Sequence, residues 1–197
     1  FTFVRVDLPG SPIITADANY VVSTERGTNL EYKGVQLHTT EHVLAAFVGC
    51  DLDNVIIELN ASEPPIMDGS SKFFVKAVED AGIEEQDAER DEYIVKEVIS
   101  YVDERTGSEI IIMPADEYQV TTMVDFGTKV LGTQNATLKN MNDFKEEISE
   151  ARTFSFLHEI ETLLAHGLIK GGDLNNAIVY VDKEISEETL QNLKVAF

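Results

Sequence analysis

One cysteine in 197 residues leaves no partner for a disulfide, and Cys50 alone cannot build a cysteine-rich zinc site; this usage points to a reducing compartment. Basic residues are scarce as well. The 15 Lys and Arg stand against 36 Asp and Glu, a net charge of -21, so a polyanion such as DNA would be repelled and nucleic-acid binding is excluded as an expectation. No apolar run approaches the roughly 18 residues that span a bilayer. The opening FTFVRVDLPG has neither the basic n-region nor the apolar h-region of an export signal. The chain therefore reads as soluble, cytoplasmic and without a transmembrane segment. It starts without methionine and stops on the apolar run LKVAF, so both ends read as cut from something longer.

What is present is a chain that is 43% apolar, enough for one large core or two modest ones. Its acidic residues are interspersed with apolar ones, the pattern of a solvated surface. Short alternating runs, FTFVRVDL and NYVVST, predict strands broken by the turn PGSP, and GTNLEYKGVQL predicts a small hairpin. In HTTEHVLAAFVG, residues 38–49, Thr39 or Thr40 is expected to cap a helix that Gly49 closes in a left-handed conformation. That helix is apolar nearly all round from Val43 to Val48 and should be buried. DNVIIELN, residues 53–60, reads as a buried strand. In EPPIMDGS, Asp68 and Ser70 are expected to cap the next helix, whose apolar stripe is Phe74, Ala77, Val78 and Ala81 and whose stop is Gly82.

The charged stretch EEQDAERDE, residues 84–92, is the candidate linker. Beyond it, YIVKEVISYV, EIIIM and YQVTTMVDF predict an antiparallel meander, followed by a helix over about 140–151 with Phe144 and Ile148 on one side. TFSF, LHEIETLLAHG and AIVYV predict a β-α-β unit at about 153–181, and a last helix begins near Ser186. Each half thus reads as several strands with two helices. The expectation is an α+β protein with a first domain over 1–90 and a second over 91–197.

The candidate chemistry centres on Glu41 and His42. A neutral imidazole at a helix start could ligate zinc, and a neighbouring carboxylate could take a proton from water attacking a carbonyl. The same two residues also suit the polar lip of a buried, capped helix, and the local spacing leaves both readings open. His38 lies four residues before His42 but precedes the capping threonines, so it is expected to point elsewhere. His158 and His166 flank the buried stripe of Leu157, Ile160, Leu163 and Leu164 and read as solvent-facing. IKGGDLNN, residues 169–176, is glycine-rich without the spacing or the Lys-Ser of a phosphate loop.

Taken in order, TTEHVLAAFVG, DNVIIELN, EPPIMDGSSKFFVKAVEDAGIEEQ and ARTFSFLHEIETLLAHGLIKGGDLNNAIV resemble the successive signature blocks of the zinc-dependent UDP-3-O-acyl-N-acetylglucosamine deacetylases of lipid A biosynthesis. RVDL and TERGTNL are similar to the same family's early segments. The resemblance implies that His42 is a Zn2+ ligand, that Glu41 is the general base, and that the hydroxyl of Thr153 stabilises the oxyanion. It implies that Phe154, Phe156, Ile160, Ile169 and Gly172 line a passage for the substrate's acyl chain, and that Asp125 and Phe126 lie near its UDP part. It also implies two similar domains, each a small mixed sheet with two helices, the helices sandwiched between the sheets.

The family's His-Lys-x-x-Asp motif and its later histidine, which protonates the leaving amine, have no counterpart in these residues. No histidine follows Ala177. The expectation is a portion of a longer enzyme, with an inactive remnant as the rival. Versions of this family fused to a 3-hydroxyacyl-ACP dehydratase are similar in style. The alternative function is a non-catalytic nucleotide-sugar or acyl-chain binding fragment of the same fold; a third is hydrolysis of another N-acetylated sugar nucleotide.

Overall fold

The computed structural model describes residues 1–165, 172–182, 186–188 and 191. Its first half is built around β1 (Thr2–Arg5), which pairs antiparallel with β2 (Ile13–Thr15) and parallel with β6 (Ile56–Leu59). Alternation along β1 sends Phe3 and Arg5 inward. Phe3 lies opposite Ile14 on one side and Ile57 on the other, which fixes the register of the whole sheet. The inward Arg5 is a buried cation, and its charge is met by both carboxylate oxygens of Asp7 and by the carbonyl of Gln36 at 3.0 Å.

A second sheet orders β3 (Val21–Ser23), β4 (Asn29–Tyr32) and β5 (Val35–Leu37). The β4–β5 hairpin turns on Lys33 and Gly34, both left-handed at φ 50° and 80°, the backbone of a two-residue turn that matches strand twist. Between the sheets, Phe3, Ile14, Leu30, Leu37, Val43 and Leu59 form one apolar cluster. Burying each such side chain contributes about 1.5–3 kcal/mol.

Helix α1 (Glu41–Gly49) gives Val43 to that cluster and Ala46 to a second one. The second joins Ala46 and Cys50 to Val75 of α2 (Lys72–Ala81), to Leu138 of β10 (Thr133–Leu138) and to Phe144 of α3 (Phe144–Glu147). The two helices thus lie between the first sheets and elements of the second half. A Cβ on Gly49 would fall inside the ring of Phe144, so the helix and ring meet this closely only because the residue is glycine.

In the second half β7 (Ile99–Asp103) pairs with β8 (Ser108–Ile112), and β9 (Val120–Asp125) with β10. On one face of β7–β8, Ile99 lies opposite Ile112 and Tyr101 opposite Ile110, all four exposed. The chain then runs through β11 (Phe154–Phe156), α4 (Leu157–Ala165) and β12 (Ile178–Tyr180), with β11 and β12 parallel as a β-α-β connection requires.

The α+β class, the hairpin, the stop of α2 at Gly82 (φ 79°) and the β-α-β unit are as the sequence predicts. Residues 84–92 are exposed throughout, and Arg90 grips Asp51 at 2.8 Å and Asp53 at 2.7 Å, tying this stretch to the turn after α1. Five local expectations are corrected. Gly49 does not close α1; the left-handed residue is Asp51, at φ 59°. Thr40 is the first flanking residue of α1, yet its hydroxyl donates to the carbonyl of Thr28 instead of capping. The 53–60 strand is only half covered, since Ile56 is 73% exposed on the outer face. Among the described residues β8 and β9 do not pair, so two hairpins replace the continuous meander. The helix expected over 140–151 shortens to a 3-10 turn at Met141–Asp143 and α3, and just beyond it the Ser149 hydroxyl donates to the carbonyl of Lys145.

Candidate functional site

Glu41 opens α1, and its carboxylate is held before any substrate arrives. The amide of Thr28 donates to Oε2 at 2.8 Å. Oε1 lies 3.9 Å from Nε2 of His42. Thr40, fully buried, fixes the same loop from below: its amide and hydroxyl both donate to the Thr28 carbonyl, at 3.2 and 3.0 Å. Gly27 completes the cradle. A Cβ there would stand 3.2 Å from Oε1 of Glu41 and 3.3 Å from Oγ1 of Thr39, closer than a side chain normally packs. Thr39 itself is left-handed at φ 52°, a conformation a β-branched residue adopts only when its surroundings impose it.

Behind this pair runs a buried set of hydroxyls. Ser71 donates from its hydroxyl to the carbonyl of His42 at 3.0 Å and from its amide to the carbonyl of Ser149 at 3.0 Å. Ser70, fully buried, donates its hydroxyl to Asp68, and Lys72 approaches the same carboxylate at 3.0 Å. Burial opposes ionisation of Asp68, but the bonds from Ser70 and Lys72 prevail and hold its carboxyl below the usual range. The expected capping by Asp68 and Ser70 is met only in part: Ser70 Oγ accepts from the first helical amide, Lys72, at 3.3 Å, whereas Asp68 accepts from Ser70, ahead of the helix, and the residue that flanks α2 is Ser71.

This turn also reaches the second half. The amide of Thr153 donates to the carbonyl of Gly69 at 2.7 Å, and the Thr153 carbonyl accepts from Ile178 at 3.0 Å. Arg152 clamps the junction by donating to the carbonyls of Asp68 at 2.7 Å and Leu174 at 3.3 Å. Gly69 is left-handed at φ 82°, and a Cβ on it would overlap the carbonyl oxygen of Asn176. Ser71, bonded to the His42 carbonyl, and Gly69, bonded to the Thr153 amide, thus lie two residues apart on one turn.

Beyond Thr153, β11 presents an aromatic face. Residues two apart in a strand share a side, so Phe154 and Phe156 point together. The Phe154 ring meets Phe126 at 5.3 Å and Tyr180 at 5.5 Å, both edge-on. Phe156 and Ile160 are buried beneath, whereas Phe154 is 38% exposed. Asp125 is exposed and accepts from the amide of Gly127; with Phe126 it adjoins this aromatic face. Gly172 is half-buried, and Ile169 and His166 lie outside the described residues. His158 is less free than the sequence suggests: it stacks on Phe156 at 5.5 Å and lies 3.3 Å from Asp182. His38 turns away as expected, with Nδ1 3.1 Å from Oδ1 of Asn29.

Several members of the site escape a sequence reading. Thr28 and Gly27 act through a backbone amide and the absence of a side chain, and Ser71 through a hydroxyl whose partner lies 29 residues away, which leaves no local signature. Tyr180 could have been found from its place two residues after Ile178 on a strand.

His42 suits a metal ligand in type and position, since its half-buried imidazole sits on the rigid first turn of a helix. A catalytic zinc takes three protein ligands. Among the described residues no group of three or more His, Cys, Asp or Glu is arranged to hold a metal, so these residues fit a share of such a site and not the whole of it.

A carboxylate and an imidazole thus share one helix start, and the 69–71 turn connects that start to a threonine beside an aromatic face. The chain belongs to the UDP-3-O-acyl N-acetylglycosamine deacetylase family, LpxC, whose family model matches residues 1–194. It is 44% identical to the bifunctional enzyme LpxC/FabZ of Bacteroides thetaiotaomicron over 96% of this chain and 41% of that protein. It is 43% identical to the protein of the same name from Porphyromonas gingivalis, over 96% and 41%. The UDP-3-O-acyl-N-acetylglucosamine deacetylase of Myxococcus xanthus is 40% identical over 90% of this chain and 56% of its own length. The chain spans about two fifths of the length of the first two of these curated relatives. Among the described residues no helix is long and apolar enough to cross a membrane.

Proposed function

We propose that the protein takes part in the hydrolysis of the N-acetyl group of UDP-3-O-acyl-N-acetylglucosamine, an early committed step of lipid A biosynthesis, in the cytoplasm. The observation that carries this reading is the held carboxylate of Glu41. With Thr28 on Oε2, the other oxygen is left on the side of His42, where a general base can take the proton of an attacking water. Thr153 would donate from its hydroxyl to the acetyl oxygen as the carbon becomes tetrahedral. Its fixed backbone, bonded to Gly69 and Ile178, keeps that donor in register without cost at the moment of reaction. Zinc, with His42 as one ligand, would supply Lewis acidity and ease the deprotonation of water. The leaving amine needs a proton, and no described residue is assigned to that role.

Substrate recognition divides between two regions. The aromatic face of Phe154, Phe156 and Phe126 suits an aliphatic acyl chain, each methylene buried there being worth about 0.8 kcal/mol. In the same reading Gly172 would extend this surface, Ile160 would support it from beneath and Asp125 would meet the nucleotide end, while Ile169 lies outside the described residues. The relatives named as fusions with FabZ support a bifunctional polypeptide as a further part of the reading.

Zinc content per chain, measured together with deacetylation of the UDP-linked substrate, tests the reading in protein expressed from the complete gene. About one zinc per chain, loss of that zinc in His42→Gln, and chelator-sensitive release of acetate are expected. Metal-independent binding of the UDP-sugar with no turnover would replace the enzyme by a binding module.

A further inference from the structure

Glu159 stands in the first turn of α4 and collects donors from two distant parts of the chain. Its Oε2 accepts from the amide of Phe156 at 3.1 Å and from the hydroxyl of Ser155 at 3.2 Å, both on β11. Its Oε1 faces Nη2 of Arg26 at 3.1 Å. Burial opposes ionisation of this carboxyl, yet the Phe156 amide and Arg26 together hold it below the usual glutamate range.

Arg26 belongs to the loop that holds Glu41. It is left-handed at φ 59°, a strained state for an arginine, and the next two residues are those that cradle the base. Gly27 lies against Glu41 Oε1, and Thr28 donates to Oε2. One end of a three-residue loop therefore grips the β-α-β unit, while the other end orients the carboxylate. Phe156 links the same two features from the opposite side, because its amide binds Glu159 and its ring belongs to the aromatic face.

We propose that Arg26 and Glu159 are a positioning pair that couples occupation of the aromatic face on β11 to the alignment of Glu41. An aliphatic chain seated against the exposed Phe154 ring, which packs on Phe156, steadies β11, β11 steadies Glu159 through Ser155 and the Phe156 amide, and Glu159 fixes the 26–28 loop through Arg26. Neither side chain bonds to Glu41, so neither is a catalytic residue. The inference rests on the acyl-binding part of the reading above. The pair is about half exposed, 47% at Arg26 and 31% at Glu159, and such pairs add little to stability, so variants at Arg26 are expected to fold.

Amide hydrogen exchange tests it, on protein expressed from the complete gene, with and without a saturated fourteen-carbon fatty acid as probe. In the parent protein the probe is expected to protect the amides of β11 and also that of Thr28, the latter by about tenfold, the scale of an ordinary coupling between sites. In Arg26→Gln the protection at β11 remains and the gain at Thr28 disappears; Arg26→Lys restores part of it. A parallel readout is turnover: Arg26→Gln lowers kcat on the acylated substrate about tenfold, as misplaced catalytic groups do, with KM within about twofold of the parent value. A probe that protects β11 without changing Thr28 in the parent, or that changes Thr28 equally in Arg26→Gln, overturns the coupling alone. No protection at β11 overturns the acyl-binding reading and the coupling with it.

Discussion

Gly69 and Thr153 are locked backbone to backbone: the Thr153 amide donates to the Gly69 carbonyl at 2.7 Å, and a Cβ on Gly69 would come 3.0 Å from Thr153 Cγ2. Two blocks of sequence separated by most of the second half meet at this point. Gly69→Ala is expected to destabilise the protein by about 2 kcal/mol or more, from left-handed strain together with the clash on Asn176. Urea midpoints compared with the parent protein measure it. A midpoint unchanged within error would mean that the 69–176 approach is not maintained in solution.

Thr153→Val keeps the β-branched shape and removes only the hydroxyl. Turnover is expected to fall roughly tenfold to a thousandfold, the range for loss of one oxyanion donor. Because the backbone bonds to Gly69 and Ile178 do not depend on the hydroxyl, the melting temperature should stay near that of the parent. Steady-state kinetics beside a thermal melt separates the two effects, and an undiminished kcat removes Thr153 from the chemistry.

Glu41→Gln retains an oxygen that can accept from Thr28 but cannot take a proton. A loss of about a hundredfold to ten-thousandfold in kcat is expected, with the fold intact. Retention of most of the turnover in acetate-release assays would exclude Glu41 as the base.

The lowered carboxyl of Asp68 makes a prediction about acid. Its folded value lies below its unfolded one, so its contribution to stability is complete above the ordinary carboxylate range, near pH 4, and fades as pH falls through the folded value. Asp68→Asn removes the charge that Lys72 approaches at 3.0 Å. The variant should therefore be weaker than the parent at pH 7, with a gap that narrows toward pH 2. Denaturant midpoints across that range check the sign; a gap that widens in acid would reverse the assignment.

Much of the scaffold is legible in the sequence because its causes are local. The Lys33-Gly34 turn, the Gly82 stop and the alternating run of β1 each depend on neighbours within a few residues. The β-α-β unit is equally plain, since TFSF and AIVYV are short apolar runs on either side of a helical stripe. Gly49 is misread for the opposite reason. Its lack of a side chain serves Phe144, far down the chain, and not the helix end where it sits. The exposure of Ile56 likewise depends on which face of a sheet is covered, and composition does not encode that.

The site is legible only in part. HTTEH fixes Glu41 and His42 at a helix start, but the spacing alone leaves their chemistry open, and the roles proposed for them come from the ordered resemblance. Thr28 and Gly27 could not be found this way, because an amide and a missing Cβ look the same in any sequence. Arg26 and Glu159, an ordinary arginine and glutamate, gain meaning only once the chain brings them within 3.1 Å.

The bare ladder of Ile99, Tyr101, Ile110 and Ile112 has a colloidal consequence. Strands with exposed apolar residues invite edge-to-edge stacking. With a net charge of -21, copies of this chain repel one another. Anything that weakens that repulsion, whether concentrated salt or a pH near the sequence isoelectric point of 4.3, leaves the ladder to drive clumping and precipitation.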